Sequence, residues 1–531
     1  MKYILTGRVV TMDADRKVLR SGAVYVDGKT VAGVAKADDP VLAGFETAPK
    51  VNTKGIILPG LIELHNHLSY NILQLWSVPK LFQDRGQWQR HRDYVRLVNG
   101  PMLNLSKSTD LRILAAIARF AETKCLLAGV TTSQGISLKS EKLQKYYEGA
   151  LRVVESPGET GFVRAQTHIP DLDAREWASF NRELKKAHCL LLHLSEGFNA
   201  AALKAFKALQ NEQTKEWAIS RALAGIHCGA LGNDEFAVMG LNGGSMIWSP
   251  LSNFLLYGRT ANIVSAKEHD LPIALGSDWS PSGSKNLLHE LKVAKVANEV
   301  NGYGFSDSDL VGLVTSSPAA IVKWDQWVGS VAAGKRADLM VISAPATTNA
   351  YTAIIRARET DVLLTIINGN ATVGTPALMT ALGANGETLT VGGQSRVISY
   401  GEGDPDLPLV SHAQAVELLA GALAKLPAIP KPPPDLRSAL VARPGRPRWG
   451  LALDEQADTG FALRPMLPYK GKRTGPDVTR MAFEHLVAVP IGPVPIDRVT
   501  VPDDPQYAAN LNGQQNIPEP IKDGLKTFYP L

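Results

Sequence analysis

PGLIELHNH at residues 59–67 is the stretch that decides the fold of this chain. It follows three apolar residues and begins with a Pro-Gly break, which is typical of a buried strand that opens into a polar loop. Side chains alternate between the two faces of a strand, so His65 and His67 should point the same way. Two neighbouring imidazoles at a strand end supply half of a metal site, although one His-x-His pair also occurs by chance in many proteins.

Short apolar strands alternate with longer helical segments from residue 59 to about residue 328. The candidate strands are residues 61–67, 128–133, 151–155, 161–168, 189–193, 224–227, 245–248 and 272–276. This α/β pattern predicts a (β/α)8 TIM barrel, in which functional residues lie at the carboxyl ends of the strands. A doubly wound open sheet is the competing architecture, but no Gly-rich phosphate loop follows the first strand.

The two ends of the chain have a different residue pattern from this central part. Residues 1–58 and 329–384 read as short strands and turns, and we expect them to form one composite β-sandwich domain. Residues 385–531 form a C-terminal extension. It begins with an amphipathic helix at 411–426, continues into a Pro-rich linker at 427–434 and ends in an extended arm that wraps the body or a neighbouring subunit, with disorder as the alternative.

Composition excludes several classes of function. The 531 residues are 45% hydrophobic and 20% charged, as in a globular enzyme, and the net charge of +5 comes without a dense basic cluster. We therefore expect no nucleic-acid partner. No apolar run reaches the roughly 20 residues of a membrane helix, and no signal peptide is evident. The three scattered cysteines favour a reducing compartment, so the expected location is cytoplasmic.

Three further strands end in residues that can bind metal or move protons. The fifth strand delivers His193 and then Glu196, the sixth ends in His227, and the eighth runs into Asp278. Each residue alone has a plain structural explanation as a satisfied polar side chain at a strand end. Their repetition at the ends of apolar strands instead predicts a metal centre at the mouth of the barrel.

These motifs resemble the amidohydrolase superfamily, in the branch of the cytosine and guanine deaminases and the triazine hydrolases. The motifs that carry the resemblance are residues 59–67, 129–132, 193–196, His227, 249–253, 276–278 and 329–339. They occur in the expected order and cover the chain from residue 1 to about residue 375. The C-terminal extension has no counterpart in the resemblance.

The resemblance implies a site built around one divalent ion. The metal ligands that it implies are His65, His67, His193 and Asp278. It also makes Asp278 the acceptor of the water's proton, Glu196 a proton shuttle and His227 the group that polarises the atom under attack. Binuclear relatives usually carry a carboxylated lysine on the fourth strand, and residues 161–168 contain no lysine. We therefore expect a single ion, with zinc as the first expectation and iron as the alternative.

Five other residues are candidates for substrate binding. Trp248 and Trp279 should flank the metal as flat apolar walls suited to a ring. Asn253 and Gln134 are candidate polar contacts. His168 either reaches the pocket or has a structural role.

The expected function is hydrolysis of a C–N bond in a small cyclic or aromatic molecule, by deamination or by opening of a ring amide. The alternatives on the same metal centre are an exocyclic amide or N-acyl amidohydrolase and a dehalogenating hydrolase. A non-catalytic binding protein on this fold is a further alternative, but it predicts missing ligands and none is missing. The substrate is expected to be the main partner, together with further copies of the chain in a homo-oligomer.

Overall fold

The computed structural model of the protein describes residues 1–108, 110–140, 146–401, 403–426, 449–453 and 491–529. The strands are β1 (Lys2–Val10), β2 (Val18–Asp27), β3 (Thr30–Lys36), β4 (Lys50–Pro59), β5 (Leu61–Glu63), β6 (Val130–Ser133), β7 (Leu138–Ser140), β8 (Arg152–Val153), β9 (Ala165–His168), β10 (Cys189–Leu194), β11 (Leu223–His227), β12 (Ser245–Trp248), β13 (Ile273–Leu275), β14 (Leu339–Ile342), β15 (Val362–Ile367), β16 (Asn370–Gly374), β17 (Glu387–Val391), β18 (Gln394–Ile398) and β19 (Trp449–Leu451).

The α-helices are α1 (Arg85–Gln89), α2 (Arg92–Tyr94), α3 (Gly100–Ser106), α4 (Leu111–Leu127), α5 (Trp177–Lys186), α6 (Ala200–Lys207), α7 (Asn233–Leu241), α8 (Pro250–Tyr257), α9 (Ile263–Glu268), α10 (Leu287–Asn301), α11 (Asp307–Gly312), α12 (Ser316–Ile321), α13 (Ala350–Arg356), α14 (Pro376–Ala381) and α15 (His412–Leu423), followed by Tyr507–Asn512 and Glu519–Lys526. The tighter 3-10 turns are Leu68–Ile72, Ala174–Glu176 and Glu359–Asp361, and Val95–Asn99 is a π-helix. Among the described residues, no helix combines the length and the hydropathy needed to cross a bilayer.

Both ends of the chain contribute to one sheet of nine strands, in the order β17-β18-β16-β15-β14-β4-β1-β2-β3. Strand β4 lies at the junction, because it pairs in parallel with β1 and antiparallel with β14. Alternate residues of β4 enter different apolar clusters, with Ile57 on one face and Ile56 and Leu58 on the other. The sequence predicted a composite sandwich. What the described residues form is one continuous hydrogen-bonded sheet.

The central region contains eight parallel strands in two sheets, one with the order β13-β12-β11-β10-β9 and one with the order β5-β6-β8. At one junction, the Ala165 N–H donates to the Val154 carbonyl at 3.0 Å. At the other, Asn66 and Asp278 form a parallel bridge. Apolar side chains of these strands, with Leu64 just after β5, belong to one hydrophobic cluster: Ile62, Leu64, Leu191, Ala224, Ile226, Ile247 and Ala274. This cluster is separate from the larger hydrophobic cluster, which contains residues of most of the helices.

Within the segment between β5 and α4, residues 70–108 cross over the elements that follow the parallel strands. We call residues 70–108 the insertion. Its backbone is hydrogen-bonded to the segments after β12 and β13: Phe82 N–H donates to Leu256 O of α8 at 2.9 Å, and Trp76 N–H donates to Pro281 O at 2.7 Å. In addition, Gln83 O accepts from the N–H of residue 198 at 2.8 Å. The insertion therefore covers the carboxyl ends of the strands, as expected for a loop on that side of a barrel.

The C-terminal extension is described in part. The amphipathic helix predicted at 411–426 is present as α15, which begins after the N-cap Ser411 and packs against α4. The predicted Pro-rich linker at 427–434 lies outside the described residues. Residues 491–529 are described and pack against the insertion, with Ile491 buried next to Gly100.

Candidate metal and catalytic site

Four imidazoles meet at the carboxyl ends of the parallel strands. The centroid of the His65 ring lies 4.7 Å from that of His193, 4.9 Å from that of His67 and 5.0 Å from that of His227. All four side chains are buried. His193 and His227 are brought there by neighbouring strands, since β10 pairs in parallel with β11.

Asp278 supplies the carboxylate of this cluster. Its Oδ1 lies 3.0 Å from His65 Nε2 and 3.4 Å from His67 Nε2. The main chain is tied in the same place, because Asp278 N–H donates to His65 O at 3.0 Å and His67 N–H donates to Asp278 O at 2.9 Å. Asp278 and His227 have φ values of 60° and 65°, in the left-handed region that non-glycine residues rarely adopt. Such strained backbone is concentrated at functional sites.

The electrostatics of the cluster favour a neutral His193 next to an ionised Asp278. Burial, and then the neighbouring His65, lower the pKa of His193 well below its ordinary value. Burial alone would raise the pKa of Asp278, but the imidazoles, His65 first, hold it well below the ordinary range. Neutral imidazole and ionised carboxylate are the forms that bind metals.

The donor set fits a divalent cation. Ligand atoms of His65, His67 and Asp278 lie within 4.8 Å of one another, and so do those of His65, His193 and His227. Nitrogen and carboxylate oxygen in a buried group of this size suit zinc, and iron binds the same donors.

Glu196 lies beside the cluster and is held by residues that the sequence did not single out. Its Oε1 accepts from Tyr257 Oη at 2.8 Å and from Trp88 Nε1 at 3.3 Å, and Trp88 Nε1 also lies 2.9 Å from Tyr257 Oη. Its Oε2 lies 3.5 Å from Arg85 Nε and 3.8 Å from His227 Nε2. Arg85 and Trp88 come from the insertion, which covers the carboxyl ends of the strands.

Trp248 was predicted to flank the metal site, but its ring lies beside Tyr303 and Thr260 instead. It is the outward neighbour of Ile247, and its ring lies 5.7 Å from that of Tyr303. Side chains alternate along β12, so Ile247 points inside and Trp248 points towards the helices. Its Nε1 donates instead to Thr260 Oγ1 at 2.7 Å, and Thr260 Oγ1 lies 3.2 Å from Asn253 Oδ1.

This chain of hydrogen bonds ends at His227. The Thr260 hydroxyl oxygen accepts a hydrogen bond from the indole N–H, so its own O–H can donate to Asn253 Oδ1. The amide nitrogen of Asn253 then faces His227 Nδ1, at 3.4 Å. An amide nitrogen can only donate, so Nδ1 accepts and the ring proton of neutral His227 lies on Nε2. Burial lowers the pKa of His227 to about 3, which favours this neutral form. Asn253, a predicted substrate contact, touches the catalytic histidine candidate itself.

Trp279 does lie beside the cluster. Its ring centroid is 5.3 Å from that of His67 and 4.9 Å from that of Tyr70. Two rings of the insertion, Trp88 and Tyr94, follow at 6.0 Å and 6.2 Å. The predicted flat wall is therefore formed by Trp279 together with aromatic residues that precede α4.

The other two predicted substrate contacts are placed away from the imidazoles. Gln134 Oε1 accepts from Asn66 N–H at 2.8 Å, and its Nε2 donates to Glu155 Oε1 at 3.1 Å, so it braces the loop between the first two histidines. Thr167 donates to the same Glu155 oxygen at 2.8 Å. His168, the next residue, faces the opposite side of β9, where its ring lies 6.3 Å from that of Phe180 on α5.

The fold and this cluster define the class first: an α/β protein with a His-rich site, suited to a divalent cation, at the ends of parallel strands. Residues 173–372 match the model of the amidohydrolase family, in agreement with the resemblance on which the prediction was based.

Known proteins resemble the chain at low identity. A 5-methylthioadenosine/S-adenosylhomocysteine deaminase of Symbiobacterium thermophilum is 22% identical over 68% of this chain and 91% of its own length. An imidazolonepropionase of Thermoplasma acidophilum is 21% identical over 62% of this chain and 85% of its own. The solved adenosine deaminase of Xanthomonas campestris, with bound zinc, has the same fold at a TM-score of 0.55, 17% identity and coverage of 70% and 92%.

Proposed function

We propose that this protein is a metal-dependent hydrolase that deaminates a small cyclic or aromatic substrate, with an adenosine-like purine as the first candidate. The observation that carries the proposal is the buried group of imidazoles and Asp278, with the carboxylate of Glu196 next to it. The deaminase relative supports the choice of reaction. The three described cysteines are buried and unpaired, which supports a cytoplasmic location.

In the proposed architecture, residues 59–328 form a closed (β/α)8 barrel. Two contacts support closure: the hydrogen bond between Ala165 and Val154 links the two parallel sheets on one side, and the bridge between Asn66 and Asp278 links them on the other. The β domain predicted from residues 1–58 and 329–384 would then lie beside the barrel and extend to residue 398, because β17 and β18 belong to the same nine-stranded sheet. The expected homo-oligomer stays a prediction.

The proposed ligands of a single ion are His65, His67, His193 and Asp278. When bound, a divalent ion of this kind lowers the pKa of a coordinated water to near neutrality and so supplies hydroxide. The contacts of Asp278 Oδ1 with two imidazole nitrogens support a role in which this carboxylate would both ligate the ion and accept a proton.

Glu196 and His227 have separate roles in the proposed reaction. Glu196 carries a proton to the ring nitrogen or to the departing amine, because Tyr257 and Trp88 fix one of its oxygens and leave the other near His227. His227 Nε2–H donates a hydrogen bond to the atom that gains negative charge as water adds. The water oxygen forms the new C–O bond and the C–N bond breaks. Ammonia leaves with two substrate hydrogens and one from water, and the other water hydrogen stays on the product.

The test is metal removal followed by an assay of ammonia release. We expect chelation to abolish turnover of adenosine, 5-methylthioadenosine or S-adenosylhomocysteine, and zinc or iron(II) to restore it. Activity that survives complete metal removal would contradict the proposal.

Opening of a ring amide is the second candidate, favoured by the similarity to an imidazolonepropionase. The same metal-activated water would attack a ring carbonyl, and no ammonia would be released. Loss of ultraviolet absorbance from a cyclic amide without ammonia would favour this reaction over deamination.

A further inference from the structure

A carboxylate from the C-terminal extension lies between two buried lysines close to the candidate metal site. Asp497 Oδ2 accepts from Lys124 Nζ at 2.5 Å, and Asp497 Oδ1 accepts from Lys285 Nζ at 2.7 Å. Lys124 belongs to α4, whereas Lys285 follows the loop after β13. Asp504, seven residues further along the extension, accepts from Lys285 at 3.0 Å.

The charges in this group depend on one another. The side chains of Lys124 and Lys285 are each 1% exposed, and that of Asp497 is 2% exposed. A buried ammonium without a partner is strongly unfavourable, so the two lysines require the acidic residues of the extension. Burial lowers the pKa of Lys124 to about 8 even with Asp497 beside it.

Lys124 connects this group to the loops that carry the proposed metal ligands. Its Nζ also donates to Asn71 O at 3.0 Å and to the hydroxyl of Ser280. The Asn71 side chain donates to Asn66 Oδ1 at 2.8 Å and accepts from Ser280 N–H at 3.0 Å. Asn66 lies between the first two histidines, and Ser280 is two residues beyond Asp278. The path from Asp497 therefore reaches both loops that carry ligands.

The extension also holds the insertion in place along its backbone. Asp497 N–H donates to Ile72 O at 2.8 Å, and the residues next to these two form an antiparallel bridge. The Gln514 side chain accepts from Val78 N–H at 3.1 Å and donates to Trp76 O at 3.3 Å. The extension is therefore bound to the start of the insertion by backbone hydrogen bonding at Ile72 and by the side chain of Gln514.

We propose that residues 491–529 are a component of the active site, with Asp497 as a positioning residue that holds the ligand loops through Lys124 and Lys285. The inference rests on the proposed metal centre. It gives the C-terminal extension a role in metal binding, beyond the packing of an appended arm.

The experiment compares Asp497→Asn with Asp338→Asn in the full chain. Asp338 is also buried and paired with a cation, Arg152, but it lies near the start of the parallel strands, where its carbonyl accepts from Gly60 N–H at 2.9 Å. Both variants remove one buried negative charge, so both should lower the unfolding temperature. Asp523→Asn, at an exposed ion pair with Lys526, controls for the substitution itself.

Zinc affinity, measured by competition with a chromophoric chelator, separates positioning from stability. We expect Asp497→Asn to weaken zinc binding by about 10- to 100-fold, the usual cost of losing a residue that orients metal ligands. Asp338→Asn and Asp523→Asn should bind zinc as the original chain does. Equal zinc affinity in Asp497→Asn and the original chain would overturn the inference, as would an equal loss in Asp497→Asn and Asp338→Asn.

A second variant covers the case in which Asp497→Asn does not fold. Gln514→Ala removes the contacts to Trp76 and Val78 without leaving a buried charge unpaired, and it should weaken zinc binding in the same direction by a smaller factor. Unchanged affinity in this variant would then overturn the inference. Failure of the original chain to bind zinc or iron at all would instead contradict the proposed function.

Discussion

The two ends of the parallel strands use buried charge in opposite ways. Near the start of the strands, Arg152 pairs with Asp338 and Glu159, and Arg336 lies 3.2 Å from Glu159, so two cations balance two carboxylates within the protein. At the carboxyl ends, four imidazoles surround the carboxylate of Asp278, and one of them, His227, also lies 3.8 Å from Glu196 Oε2. The first arrangement stabilises a fold without any ligand. The second becomes balanced when a cation binds, which is why we place the chemistry there.

The largest expected effect comes from removing the negative charge of Asp278, the carboxylate among the imidazoles. Asp278→Asn keeps the shape of the side chain but replaces an anionic ligand and proton acceptor with a neutral amide. We expect turnover to fall to background and zinc content, measured by elemental analysis, to fall well below that of the original chain. Asp338→Asn, at the opposite end, should retain both. A fully active Asp278→Asn variant would show that the comparison between the two ends is misplaced.

Glu196→Gln tests the proton shuttle without removing a ligand. The amide oxygen of glutamine still accepts from Tyr257 and Trp88, but it cannot carry a proton to the leaving group. We expect kcat to fall by about 10²- to 10⁴-fold while zinc content stays unchanged. Steady-state kinetics with metal analysis on the same sample checks both parts. A decrease in kcat below tenfold would remove Glu196 from the mechanism.

Asn253→Asp tests the hydrogen-bond chain that ends at His227. An aspartate would accept a hydrogen bond from Nδ1–H of His227, which favours the tautomer with no proton on Nε2, so kcat should fall by about 10²-fold. Thr260→Val should have a smaller effect in the same direction, and Thr260→Ser, which keeps the hydroxyl, should restore activity. Nitrogen NMR of the imidazoles gives the tautomer directly. An unchanged Nε2–H tautomer in Asn253→Asp would contradict this assignment.

The smallest expected effect concerns stability at the carboxyl ends. The carboxyl group of Glu290 accepts from Leu251 N–H at 3.2 Å and from the Ser284 hydroxyl. Burial raises the pKa of Glu290 to about 8. Its unfolded value is about 4.3, so the native state holds the extra proton between these values and loses stability as the pH rises towards 8. Glu290→Gln should flatten the dependence of unfolding temperature on pH between about 5 and 8. An equally steep dependence in this variant would contradict the raised pKa.

The parallel strands and the ligand candidates could be predicted because both depend on residues that are close together in the sequence. Buried parallel strands are short apolar runs, and His193, His227 and Asp278 follow such runs directly. Contacts made across the chain were not accessible in this way. Arg85 reaches Glu196 only because the insertion folds over the site, and Asp497 meets Lys124 across most of the length of the chain.

The misplaced tryptophan has a simpler cause. Trp248 precedes a Ser-Pro motif at a strand end, which suggested a wall of the pocket. The side on which a strand residue lies depends on register, and a shift of one residue exchanges the two sides. Ile247 occupies the inner side of β12, so Trp248 lies among the helices. The same parity separates Thr167 from His168 on β9.

The position of β4 in the nine-stranded sheet has a consequence for biosynthesis. Its partner β14 begins about 280 residues after β4 ends. One edge of β4 is therefore without its partner strand for roughly 15 to 60 s at ordinary rates of translation. An apolar strand with an open edge invites pairing with other nascent chains. Production of this protein should therefore benefit from chaperones that shield the emerging amino-terminal half, and polypeptides that stop before residue 339 should aggregate.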